Sequence, residues 1–181
     1  VSARRQDRHL PPILHIFREA HVAHDAKKKV ELRDEDGARI LSGRRVSARQ
    51  PVSEDVLRRD VAAHLSALLN TIRLGAAEDL SPFERVQSSI LNFGIDDIAS
   101  ITIEERRMND IPNEIRTVIL TYEKRLVPRS VVVTRDTSVA AENHEVRFNV
   151  RGELRSEPLN IPVEFIAELE RGSAKFRIER L

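Results

Sequence analysis

The apolar residues of this chain change their spacing at Pro128, and that change dictates the order in which a fold can be built. Before it, apolar side chains recur at intervals of three and four, the period of a helix with one buried face. Leu57, Val61, Leu65, Leu68 and Ile72 form one such stripe. Ile111, Ile115, Val118, Tyr122 and Leu126 form another, with Ile119 beside it. After Pro128 the period is two. Val146, Phe148 and Val150 alternate with Arg147, Asn149 and Arg151. Ile161, Val163, Phe165, Ala167 and Leu169 alternate with Pro162, Glu164, Ile166, Glu168 and Glu170. A Val-rich run over 130–135 precedes them, and Phe176 and Ile178 follow the turn signal Arg171-Gly172-Ser173. Four strands in succession predict an antiparallel meander with one apolar and one charged face. Helices first and strands after predict an α+β fold, with N-terminal helices packed on a four-stranded antiparallel sheet.

Local signals set the helix boundaries. Ser53 reads as an N-cap with Glu54 and Asp55 in the first turn, where the helix dipole favours acids, and this helix is predicted to end near Gly75. Ser81-Pro82-Phe83-Glu84 reads as a capping box with proline at the first helical position. The helix it opens is predicted to turn Phe83, Val86 and Ile90 inward. It stops at Asn92-Phe93-Gly94, a structural motif where Asn and Gly tolerate positive φ. Thr102 and Glu105 suggest a further box, but Pro112 cannot lie deep in a helix without losing a hydrogen bond. The region is therefore predicted to split into a short helix over 103–108 and a longer one from Asp110 to just before Pro128.

Charge divides the chain differently. Residues 1–50 carry 12 Lys and Arg against 7 Asp and Glu, and residues 51–181 carry 18 against 22. This predicts a basic N-terminal arm over 1–50 and a folded domain over 51–181. Within the arm, Leu10–Phe17 reads as a short helix, Asp34-Glu35-Asp36-Gly37 as a turn and Leu41–Pro51 as a linker. Phe17 is the arm's one aromatic residue, too little for base stacking, so the arm reads as a solvated extension or as a segment that meets a protein partner, and not nucleic acid.

Several function classes are set aside on composition. With no cysteine there is no disulfide scaffold or thiolate metal site. His9, His15, His21 and His24 match no zinc spacing, so neither metal nor cofactor is expected. No glycine-rich phosphate loop or nucleophile elbow occurs, and without Trp, with a single Tyr, no sugar-stacking surface is evident. The expectation is a protein that is not an enzyme. No apolar run approaches the roughly 20 residues of a membrane span, and no signal-peptide pattern leads the sequence. A cytoplasmic chain with no direct membrane insertion is expected.

Two charged constellations remain. Arg147, Arg151 and Arg155 share one strand parity, and Glu164 and Glu168 share one on the next strand. They are expected to pair across the solvated face, each exposed pair contributing about 0–1 kcal/mol. Glu123 and Arg125, with Lys124 between them, stand where the long helix gives way to the sheet. An acid and a base two residues apart on such a rigid junction are expected to point in different directions, which singles them out as candidate functional residues.

The segments around these positions resemble a known family. Ser88-Ser89-Ile90-Leu91-Asn92-Phe93-Gly94-Ile95-Asp96-Asp97 resembles the "SVLNYGIPD" segment of the TssE baseplate subunits of type VI secretion systems. Tyr122-Glu123-Lys124-Arg125-Leu126 resembles that family's "FEPRL" segment, with Lys124 in place of proline. Leu10-Pro11-Pro12-Ile13-Leu14 resembles its N-terminal "PSLLDRL" stretch, and Phe176-Arg177-Ile178-Glu179 its last strand. The likeness spans roughly residues 53–181. It implies the gene-25-like wedge fold and a structural role in the baseplate of a contractile injection machine, similar to the gene-25-type protein of phage tails. The alternatives are the same role in a phage tail or extracellular injection particle, or an anti-adapter-like regulator binding a response regulator. The resemblance implies that Glu123, Lys124 and Arg125 contact the bundle tying the wedge together, and that the sheet templates the first sheath ring by strand addition. The partners implied are TssF- and TssG-like wedge subunits and TssB- and TssC-like sheath proteins, with a TssK-like adaptor and the central spike hub beside them. The baseplate implied is docked at the inner membrane. Members of the family have carried a lysozyme-like label, which this sequence, poor in catalytic features, does not favour.

Overall fold

The computed structural model describes residues 52–98, 105–138, 145–156, 159–170 and 172–181, with positions 9, 15, 17, 18, 21, 24, 32, 33, 39 and 40 before them. The side chains of 32, 33, 39, 40 and 105–108 lie outside that description. The chain divides into two compact units, Val1–Asp60 and Val61–Leu181, and the division falls inside helix α1 (Glu54–Leu69).

In the first unit, β1 (Leu32–Arg33) and β2 (Arg39–Ile40) pair antiparallel, Leu32 opposite Ile40, and so bracket the predicted turn. His9 and Val52 exchange backbone hydrogen bonds of 3.0 and 2.8 Å. His15, Phe17, Arg18 and His21 are helical, and His15 Nδ1 lies 2.8 Å from Asp60 Oδ2. Most of the helix predicted over Leu10–Phe17, and the linker over Leu41–Pro51, lie outside the described residues. Helix α1 starts as its sequence suggests: the Ser53 carbonyl accepts from the Val56 and Leu57 amides, and Glu54 and Asp55 occupy the first turn.

The second unit is built on a meander of β3 (Val132–Asp136), β4 (Glu145–Leu154), β5 (Ile161–Glu170) and β6 (Lys175–Arg180), paired antiparallel in that order. The predicted alternation holds. Val146, Phe148, Val150 and Leu154 of β4, Ile161, Val163, Phe165, Ala167 and Leu169 of β5, and Phe176 of β6 are buried. Val61, Leu65, Leu68 and Leu69 of α1 and Ile111, Ile115, Val118 and Ile119 of α3 (Glu105–Tyr122) supply the buried helical stripes. Burying such side chains contributes about 1.5–3 kcal/mol each. On the opposite face, Arg147 stands across from Glu168 and Arg151 across from Glu164, each pair with Nε 2.6 Å from the carboxylate. Arg155 lies past the strand, where its amide donates to the Arg125 carbonyl at 2.9 Å.

The predicted helices are corrected at several points, and α3, predicted to reach just before Pro128, ends at Tyr122. Helix α1 ends at Leu69, not near Gly75, and the chain passes through a 3-10 turn over Leu74–Ala76. The helix predicted over 81–94 is reduced to α2 (Glu84–Gln87) and a 3-10 turn at Ile90–Asn92, with Phe83 and Ile90 exposed instead of inward. Side chains capture the backbone groups the longer helix would need. Asn92 Nδ2 donates to the Gln87 carbonyl at 2.9 Å, and Ser89 Oγ accepts from the Leu91 amide at 3.2 Å. In α3 the predicted split does not occur, for the helix runs continuously through Pro112. Proline costs it the one bond to the carbonyl four residues earlier, while the fully buried Ile111, Ile115 and Ile119 hold the helix across that point.

Both edges of the sheet are tied to helices. Asn70, just past α1, donates from Nδ2 to the Phe176 carbonyl and accepts from the Phe176 amide at Oδ1, each at 2.9 Å. Arg116 of α3 donates from Nε to the Val131 carbonyl at 3.1 Å.

Candidate functional site

The junction between α3 and the sheet is stitched by backbone hydrogen bonds on both sides. The Glu123 amide donates to the Ile119 carbonyl at 2.8 Å, continuing the helical pattern for one more residue. The Leu126 amide then donates back to the Glu123 carbonyl at 3.3 Å, closing a turn. On the far side, the Arg125 carbonyl accepts from Arg155, the Val127 amide donates to the Glu153 carbonyl at 2.8 Å, and Leu126 bridges antiparallel to Leu154. The triplet Glu123-Lys124-Arg125 is thus clamped between the helix end and the end of β4.

Within it, the side chains do not diverge as the sequence suggested. Glu123 is 3 % exposed, and the Arg125 guanidinium folds back on its carboxylate: Nε donates to Oε1 at 2.8 Å and a terminal nitrogen to Oε2 at 2.5 Å. The Arg125 amide also donates to Oε1 at 3.1 Å. The backbone turn after Glu123 brings the two side chains to the same side. A buried carboxylate also requires opposite charge and donors around it. Lys124 alone projects outward, its Nζ donating to the Leu120 carbonyl at 3.0 Å.

A third partner comes from α1, where His64 Nδ1 lies 2.7 Å from Glu123 Oε2. The ionised carboxylate only accepts, so His64 Nδ1 carries the proton. Burial would raise the Glu123 carboxyl, but hydrogen bonds from Arg125 and His64, with the charge of both, outweigh it and hold the group down to about 2.

The second motif meets the first here. The His64 ring stacks on Phe93, centroids 5.6 Å apart at 29°, and Phe93 meets the Tyr122 ring edge-on at 5.3 Å and 70°. The Tyr122 hydroxyl donates to the Asn92 carbonyl at 2.6 Å and lies 3.3 Å from the Ser89 carbonyl. Asn92, itself buried, accepts the Gly75 amide at Oδ1 at 2.8 Å. Gly94 has φ +131°, and a Cβ there would stand 2.2 Å from the Thr71 carbonyl oxygen. Asn92-Phe93-Gly94 is therefore not the stop of a long helix. It is the strap by which the segment after α1 crosses Thr71 and docks on the end of α3.

Sequence reasoning picked out Glu123, Lys124, Arg125, Asn92, Phe93 and Gly94, and the fold brings all but Lys124 into one connected cluster. It missed His64, which flanks an apolar stripe and lies 59 residues from its carboxylate partner, and it placed Tyr122 in the apolar stripe and the motif without its contact to Phe93. No local pattern announces either partner. Among the described residues, no His, Cys, Asp or Glu group is arranged to hold a metal, and no helix is long and apolar enough to cross a membrane.

The site is thus a buried ionic clamp where a helical layer gives way to a four-stranded meander. The family model described as Baseplate wedge protein gp25 matches residues 55–159, and the chain belongs to this family. Its role is that of a structural baseplate component of a contractile injection system, in contact with other baseplate components. No curated protein and no solved structure matches the chain at a significant level.

Proposed function

We propose that this chain is a TssE-like wedge subunit of a type VI secretion baseplate, joining the wedge to the sheath and templating the first sheath ring by strand addition. It acts without catalysis or cofactor, in the cytoplasm, in a baseplate docked at the inner membrane. The reading is carried by the joined motif cluster, because two of the segments that resemble TssE, 88–97 and 122–126, meet through His64, Phe93 and Tyr122. In this reading Glu123 holds Arg125, and the pair fixes the turn that presents Lys124. Lys124 and the Arg125 edge of the turn meet the bundle of TssF- and TssG-like subunits. The sheet receives TssB- and TssC-like sheath subunits, and a TssK-like adaptor and the spike hub complete the surroundings.

The test is affinity capture of the tagged chain from its host, read by mass spectrometry. Sheath and wedge subunits are the expected catch, and a catch without either would overturn the reading. Lys124→Glu changes an exposed charge and leaves the clamp in place. It is expected to cut recovery of wedge subunits by about tenfold, the scale of one well-placed interfacial charge, with an unchanged melting temperature.

A further inference from the structure

The two edges of the sheet are not equally open to another strand. In an antiparallel ladder, residues alternate between turning their amide and carbonyl toward the neighbouring strand and turning them away. The Leu181 amide donates to the Glu164 carbonyl, which fixes the parity of the β5–β6 pairing. Lys175, Arg177 and Glu179 face β5, while Phe176 and Ile178 turn their backbone groups to the outer edge. At Phe176 both of those groups are taken by the Asn70 carboxamide, which presents one donor and one acceptor at 2.9 Å as a peptide unit of an added strand would. Asn70 therefore occupies the first rung that a strand arriving on β6 would need.

The β3 edge is different. Val127 donates to Glu153, Arg155 donates to Arg125, and the Glu153 amide donates to Ser130 Oγ, so the odd-numbered residues of β4 turn toward β3. By register, Val132, Thr134 and Asp136 then face β4, and Val133 and Arg135 turn their amides and carbonyls outward. Among the described residues, the side-chain hydrogen bond to the backbone of this edge is that of Arg116 to the Val131 carbonyl, at the entrance to the strand. Val132, half exposed at 50 %, and Thr134 flank the open groups on the outer face. The first three residues of the strand, Val132, Val133 and Thr134, are β-branched and uncharged, and they suit an extended segment laid alongside them.

We propose that β3 is the edge that accepts the sheath strand and that Asn70 closes β6 against it. The proposal rests on the strand-addition reading above. Proline is the discriminating substitution, because on an edge strand it removes an outward amide and leaves the inner ladder whole. Val133→Pro and Ile178→Pro would each be co-expressed with the cognate sheath subunits, and sheath recovery on the tagged chain measured beside a thermal melt. Val133→Pro is expected to lower sheath recovery by about tenfold or more and Ile178→Pro by less than about twofold. The reverse pattern, or an equal loss from both, would overturn the edge assignment while leaving strand addition standing. Full recovery with both would overturn strand addition itself. Should Val133→Pro fail to melt cooperatively, single thiols decide, since the chain has no cysteine of its own. Thr134→Cys should cross-link to the sheath and Arg177→Cys should not. A cross-link from Arg177→Cys alone would overturn the assignment.

Discussion

Glu123 shows how a charged residue becomes part of a core. Its ordinary carboxyl value is 4.5 and its folded value is about 2, so the folded state favours the ionised form. The stabilisation is fully present above the unfolded value and is lost as pH falls from about 4.5 toward 2. The gap corresponds to roughly 3 kcal/mol. Glu123→Gln is therefore expected to lower unfolding free energy at neutral pH by about 3 kcal/mol and to flatten its acid dependence in that window, both read by urea denaturation across pH. An acid dependence unchanged from the parent chain would refute the clamp. Removing both Glu123 and Arg125 is consequently a test of folding before it is a test of assembly, which is why the exposed Lys124 is the cleaner probe. At this scale the sequence was half legible. The position of Glu123 at a helix-to-sheet junction was visible, but its burial was not, because burial depends on His64 arriving from a helix distant in sequence.

At the scale of elements, strands were easier to read than helices. A period of two survives in the sequence wherever one sheet face is buried, as from Val146 to Leu154 and from Ile161 to Leu169. Even Pro162 in a central strand obeys the register. It shares the parity of Glu164, so its nitrogen lies on the β6 side, outside the paired stretch Phe165–Glu170, and the ladder to β4 loses nothing. The helix over 81–94 was misread because Ser89 and Asn92 look polar and neutral in a helical pattern, while in space they take the backbone groups that would have continued it. The strap makes a sharp prediction. Gly94→Ala combines a positive φ with a backbone clash at Thr71, and it should destabilise by at least about 2 kcal/mol in chemical denaturation. Asn70→Ala should cost about 1–2 kcal/mol for two lost hydrogen bonds. It should also raise concentration-dependent self-association, seen by light scattering, because it uncovers a strand edge.

For the whole molecule, charge asymmetry and periodicity suggested an arm and a domain, and the compact units divide at Asp60 and Val61, inside a helix. The stripe of Val61, Leu65, Leu68 and Leu69 belongs to the second unit, so deletion of residues 1–50 is expected to leave a cooperative melt with the parent's acid dependence. A broad, non-cooperative melt would show that the second unit needs what precedes it. The fold class was legible because helices and strands are segregated along the chain. The meeting of the two motif segments was not, because it is made by aromatic contacts and a hydroxyl that have no signature in spacing.

The chain has no tryptophan and a single tyrosine, and that tyrosine is Tyr122, lodged between Phe93 and the Asn92 carbonyl. Its phenol is pushed up by burial, so in alkaline solution it should keep its proton past the ordinary range until the junction opens. At wavelengths beyond the phenylalanine bands, ultraviolet absorbance of the unlabelled protein thus carries one side-chain signal, from one ring, at the place where the helix, the strap and the sheet converge. Any event that loosens that convergence, whether acid, a variant or an arriving partner, can be followed there without attaching a dye.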